Sequence, residues 1–179
     1  MKITGEIMLG NSIELDWNVI RVKIGDISSI DDIKEAVSDT NIVFGSELSD
    51  DIDGIFKGAK FVNGVTNLYL QLVPLKDVCV LDYGTLDEID RLIAKPLDLS
   101  LCPIDVIMAV CLQYPYMLGR YGGLFVPVKS HGIYALDLRK SLIKSGNIRY
   151  ISTDMEGDFD SLCSSDDDDP GCLLLVKSV

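Results

Sequence analysis

Histidine is all but missing from these 179 residues, His131 being the only one. A metal centre or a Cys–His nucleophile pair would have to be assembled around that single ring. The five cysteines, Cys79, Cys102, Cys111, Cys163 and Cys172, are odd in number, widely spaced and contain no Cys-x-x-Cys. That pattern argues against a disulfide framework or a zinc knuckle and leaves them as reduced packing residues. No apolar stretch, Val106 to Leu112 being among the longest, approaches the roughly 20 residues that cross a bilayer. The opening Met1-Lys2-Ile3-Thr4-Gly5-Glu6 lacks a basic start followed by a sustained apolar segment, so no secretory signal is expected and the expected compartment is the cytoplasm. Positive charge is scarce as well, with 16 Lys and Arg against 28 Asp and Glu and a net charge of −12. Such a balance repels phosphate backbones, and Lys57, Lys60, Arg139, Lys140 and Lys144 are scattered instead of forming a run, so nucleic-acid binding is disfavoured.

Apolar material is abundant: 47% of residues are hydrophobic and the mean hydropathy is +0.25. A chain of this length buries one substantial core. Val19 to Ile24 reads as a strand ending in Gly25-Asp26. Ile30, Ile33 and Val37 then have helical spacing behind a Ser29 or Asp31 cap, and Asn41 to Gly45 reads as a buried strand. The alternation continues: a weak helix over 52–58, strands over 68–73 and 78–81, helices over 86–94 and 103–112, a strand over 122–128, a helix over 138–145 and a strand over 147–152. Strands separated by helices predict a three-layer α/β/α fold around a central mixed, mostly parallel sheet, with ligands at the carboxyl ends of its strands.

After Thr153 the pattern stops. Asp154 to Gly171 is acidic and cannot bury enough apolar surface to order itself, so residues 1–153 are expected to form the domain and 154–179 a flexible tail or linker. Within that tail Leu173-Leu174-Leu175-Val176 is out of character, fitting an extra edge strand or the start of something that follows. Asp154, Glu156, Asp158 and Asp160 imitate half of a calcium loop, but Ser165 stands at its twelfth position, so no metal is expected.

Two strand ends carry the chemistry. Gly25-Asp26-Ile27 follows the early strand, and Ser130-His131-Gly132-Ile133-Tyr134 follows Leu124-Phe125-Val126-Pro127-Val128, where a small glycine-centred turn can aim backbone N–H groups at an anion. Gly-Asp-Ile followed about a hundred residues later by Val-Pro-x-x-Ser-x-Gly-Ile-Tyr resembles the macro domains, and among them those of coronavirus replicase polyproteins. The likeness runs from Leu124 to Thr153 and from Val19 to Phe44. It implies that Asp26 accepts from the adenine amino group of ADP-ribose with Ile27 beside it. It also implies that Ser130, Gly132 and Ile133 form a diphosphate loop and that Tyr134 packs on the distal ribose.

The departures point the other way. Where the family carries Asn-Ala-Ala-Asn, this chain has Phe44-Gly45-Ser46-Glu47, and where a triple-glycine loop belongs it has Ser49-Asp50-Asp51-Ile52-Asp53-Gly54. Like charges about 6 Å apart repel by roughly 1 to 3 kcal/mol, so Glu47 and those aspartates oppose an anion. The expectation is a non-catalytic, macro-like interaction module of a viral replicase polyprotein, with ADP-ribose binding weak or lost in a degenerate pocket (Asp26, Ile27, Phe44, Glu47, Ser130, Gly132, Ile133, Tyr134). A viral or host protein is its partner, and no cofactor is expected. The alternatives are an ADP-ribose-binding or ADP-ribosyl hydrolase domain, a guanine-rich RNA reader, and an unrelated doubly wound domain with similar loops.

Overall fold

The computed structural model describes residues 3–5, 13–15, 19–40, 42–45, 52–78, 85–114, 117, 123–129, 131–140, 147–154 and 171–178. Two short strands, β1 (Ile3–Gly5) and β2 (Ile13–Leu15), pair antiparallel in a ladder of their own. Strand β3 (Val19–Ile24) alternates Val22 and Ile24 inward with Arg21 and Lys23 outward, as a period-two backbone requires. Helix α1 (Ile30–Ser38) starts at Ser29, whose Oγ accepts the Asp32 N–H at 3.1 Å. Then come β4 (Ile42–Gly45), the single turn α2 (Ile52–Ile55), β5 (Thr66–Pro74) and the short α3 (Leu75–Val78). Helix α4 (Leu86–Ile89) is opened by a reciprocal Thr85–Glu88 capping box and runs on through a π turn, Asp90–Ala94, and a 3-10 turn, Lys95–Leu97. Strand β6 (Leu99–Ser100) leads to helix α5 (Asp105–Gln113), and the chain finishes with β7 (Leu124–Val128), β8 (Gly132–Lys140), β9 (Asn147–Asp154) and β10 (Cys172–Lys177).

Eight strands form one mixed sheet in the order β3-β5-β10-β7-β8-β9-β4, with β6 beside the end of β10. Strands β3, β10, β7, β9 and β4 run one way and β5, β8 and β6 the other. The α/β class is as expected, although neighbours are antiparallel at five pairings and parallel at two, so the prevailing parallel pairing expected above is corrected. Both faces are covered. Val22, Leu70, Leu72, Val126 and Leu174 pack with α1, α2 and α5, while Val73, Phe125, Leu173 and Leu175 pack with α3 and α4, which gives three layers.

One local expectation lies largely outside the described residues, and two others fail for tertiary reasons. The strand expected over 78–81 starts instead on the last residue of α3, and residues 79–81 lie outside the described set. The helix expected over 138–145 is strand as far as Lys140, because β8 is paired on both sides, to β7 and along eight residues to β9. A strand buried on both faces, as Ile133, Tyr134 and Leu136 are, loses the polar alternation that marks a strand in sequence. The other correction is the tail: Cys172–Lys177 is neither free nor an edge strand. It lies between β5 and β7, with Cys172, Leu173, Leu174 and Leu175 all buried.

Candidate functional site

The co-directional strands bring their carboxyl ends to one rim. Gly25 and Asp26 follow β3 there, and the Lys129–Gly132 turn follows β7, with only β5 and β10 between the two strands. At about 4.8 Å per strand, the axes of β3 and β7 are about 14 Å apart. The two bends singled out in sequence therefore lie at the same rim, with the β3 bend about four residues further along, since the registers set Val128 level with Ile20.

The turn after β7 is a tight hairpin. Val128 pairs with Gly132, the His131 N–H donates to the Val128 carbonyl at 3.1 Å, and Gly132 takes φ +113°, a backbone region that side-chain-bearing residues avoid. The turn leads directly into strand β8, so no helix starts there to add its dipole. Ile133 and Tyr134 point to opposite faces and are buried, Ile133 against the α4 side and Tyr134 on the α5 side. Tyr134 is 2% exposed, stacks on Phe56 at 6.4 Å between ring centroids, and donates its hydroxyl to the Ile55 carbonyl at 3.3 Å. Burial pushes its phenol up to about 12. It is a core aromatic, and the ribose-packing role implied for it is corrected. Phe44 sits on β4 opposite Ile151 of β9. Glu47, Ser130 and the calcium-like run beyond Asp154 lie outside the described residues.

At the β3 end the rim is built by three segments. Gly25, at φ +88°, approaches the Gly64 backbone so closely that an added Cβ would stand 2.1 Å from the Gly64 oxygen. Beside this contact Asp105, in the first turn of α5, accepts the Val62 N–H on its two carboxylate oxygens at 3.1 and 3.2 Å. Together these contacts pin the 59–65 loop between β3 and α5. The cleft left among Lys23, Ile24, Gly25, Asp26, Asp105 and Gln113 measures about 50 Å³. Asp26 is exposed and bound by Lys23 Nζ at 2.9 Å, and Ile27 is half-buried against the core.

Asp105 is 4% exposed, and desolvation raises its carboxyl above the ordinary range, the Val62 N–H only partly offsetting this. The native state therefore holds the Asp105 proton more tightly than the unfolded chain. Stability from this group is fully present below the unfolded value and is lost as pH rises through the folded one. Relative to Asp105→Asn, which keeps an acceptor for Val62 and does not titrate, the parent protein gains stability as pH falls from about 7 toward about 4.5. Paired urea unfolding curves at the two pH values measure this, and a difference that moves the other way refutes it.

Sequence reasoning missed Asp105, Gln113 and Tyr114, which complete this end of the rim. The signal was present: Asp105 is the one charge within the apolar helix 103–112, and Gln113 is the first polar residue after it. Cys102 is sealed in the core, its Sγ donating to the Leu174 carbonyl at 3.2 Å, and burial pushes its thiol up, so it is no nucleophile. Among the described residues no group of three or more His, Cys, Asp and Glu is placed to hold a metal ion, and no helix is long and apolar enough to cross a membrane. No protein family, curated protein or solved structure matches this chain.

Proposed function

We propose that this chain is a non-catalytic, macro-like interaction module of a viral replicase polyprotein, working in the host cytoplasm through contact with a viral or host protein. The observation that carries the loss of nucleotide binding is the rim at β3: a cleft of about 50 Å³, walled by the carboxylates of Asp26 and Asp105, with Asp26 already engaged by Lys23. The Asp26 carboxylate that the resemblance assigns to the adenine amino group already has Lys23 as its partner, and the neighbouring Asp105 is committed to the Val62 N–H. The likeness of Gly25-Asp26-Ile27 and Ser130-His131-Gly132-Ile133-Tyr134 to the macro domains, with both bends on one rim, supports the macro-like part. The motif likeness alone supports the viral part.

Calorimetric titration with ADP-ribose tests the reading. No saturable heat is expected, which places any Kd above about 100 µM, equivalent to less than about 5.5 kcal/mol of binding free energy. A Kd of a few micromolar overturns it.

A further inference from the structure

Strand β3 is the margin of the large sheet: among the described residues β5 pairs on one side of it and no strand on the other. Its outward backbone groups are nevertheless occupied. The Lys23 N–H donates to Gln113 Oε1 at 3.0 Å, and Gln113 Nε2 donates to the Lys23 carbonyl at 2.6 Å. Two residues back, the Tyr114 hydroxyl donates to the Arg21 carbonyl. In an antiparallel ladder the N–H and C=O of one residue point to the same side, so Arg21 and Lys23 both face away from β5. The primary amide of Gln113 makes the paired bonds that a residue of a neighbouring strand would make. Gln113 is exposed and is the last residue of α5, so a side-chain rotation suffices to withdraw it.

We infer that the outer edge of β3 is a strand-addition site for an extended protein segment with acidic residues at alternate positions, held closed by a Gln113–Tyr114 latch. The chemistry of the occupant follows from the side chains it would meet. A strand laid along β3 places every second residue beside Val19, Arg21 and Lys23, all exposed. Carboxylates there meet Arg21 and compete with Asp26 for Lys23, and cross-strand pairs of opposite charge are favourable where like charges are not. The intervening residues fall on the face of Ile20, Val22 and Ile24, which suits apolar side chains. Main-chain bonds then supply affinity and the alternation supplies selectivity. This rests on the reading of the chain as a protein-contact module. The ADP-ribose titration tests nucleotide loss separately, so either can fail without the other.

The test uses two blocked hexapeptides, one alternating valine with glutamate and one alternating valine with lysine, titrated by fluorescence anisotropy onto the full chain. The glutamate peptide is expected to bind and the lysine peptide not. Gln113→Ala, which has no latch to displace, is expected to bind the glutamate peptide about fivefold more tightly, the equivalent of one net hydrogen bond. Arg21→Glu is expected to abolish that binding. Should Gln113→Ala fail to fold, Tyr114→Phe removes one latch bond alone, and a smaller gain in affinity is expected. Equal binding of the two peptides, no binding to either parent or latch variant, or weaker binding by the latch variants overturns the inference.

Discussion

Deletion of residues 171–179 is expected to abolish cooperative folding, the largest effect of any change considered for this chain. The segment would be dispensable were it a tail, but β10 lies between β5 and β7 and exchanges main-chain bonds with both, and with β6 at its end. Cys172 to Leu175 are buried, Leu174 in one core and Leu173 and Leu175 in the other. Fully burying a leucine contributes about 2 kcal/mol, so three leucines with Cys172 and Val176 account for roughly 10 kcal/mol. That is comparable with the entire stability of an ordinary domain, about 5 to 15 kcal/mol. The deletion also leaves the facing edges of β5 and β7 open in the middle of the sheet, a template for aggregation. Circular dichroism during a urea titration should show a sigmoidal transition for the parent and none for the truncated chain. A truncated protein that unfolds with the parental midpoint would refute the central placement of β10.

The same strand shows why part of this fold was legible in sequence and part was not. Val19–Ile24 and Ile30–Ser38 announce themselves, because each has one face in water and the pattern of polar residues reports the backbone period. Leu173-Leu174-Leu175-Val176 is buried on both faces, so its sequence carries no period, and the acidic stretch before it lends it the look of a linker. β8 misleads at Leu138, where the ladder to β9 fixes an extended conformation that the local sequence does not announce. At the candidate site, Gly25-Asp26 and Gly132 were readable as turns from residue type alone, and the strand directions do bring them to one rim. What Tyr134 does was not readable, since a tyrosine after a turn can face a ligand or the core, and the Phe56 stack that seals it comes from a residue 78 positions earlier. Asp105 and Gln113 act through backbone groups of Val62 and Lys23, and side-chain bonds to distant main chain leave no sequence pattern.

Gly25→Ala is expected to be the most damaging single substitution at the rim, and Gly58→Ala provides its control. Both glycines have left-handed backbones, with φ +88° and +75°, so each alanine incurs the conformational penalty of that region, about 1 to 2 kcal/mol. They differ in what the new methyl group meets. At Gly58 nothing lies within 4 Å, whereas at Gly25 the Cβ falls 2.1 Å from the Gly64 oxygen and 2.7 Å from its carbonyl carbon. That neighbour is backbone and cannot rotate away, so β3 and the 59–65 loop must separate, and the loop is also tethered through Val62 to Asp105. Overpacking of this kind adds typically 1 to 3 kcal/mol, giving a total near 3 kcal/mol for Gly25→Ala against near 1 kcal/mol for Gly58→Ala. For a domain of this size the first corresponds to a fall in Tm of roughly 10 °C and the second to roughly 3 °C. Calorimetric melting of the two variants side by side decides the matter. Equal shifts would mean that the left-handed backbone alone accounts for the glycine, and that the β3 turn and the Gly64 loop are not in contact.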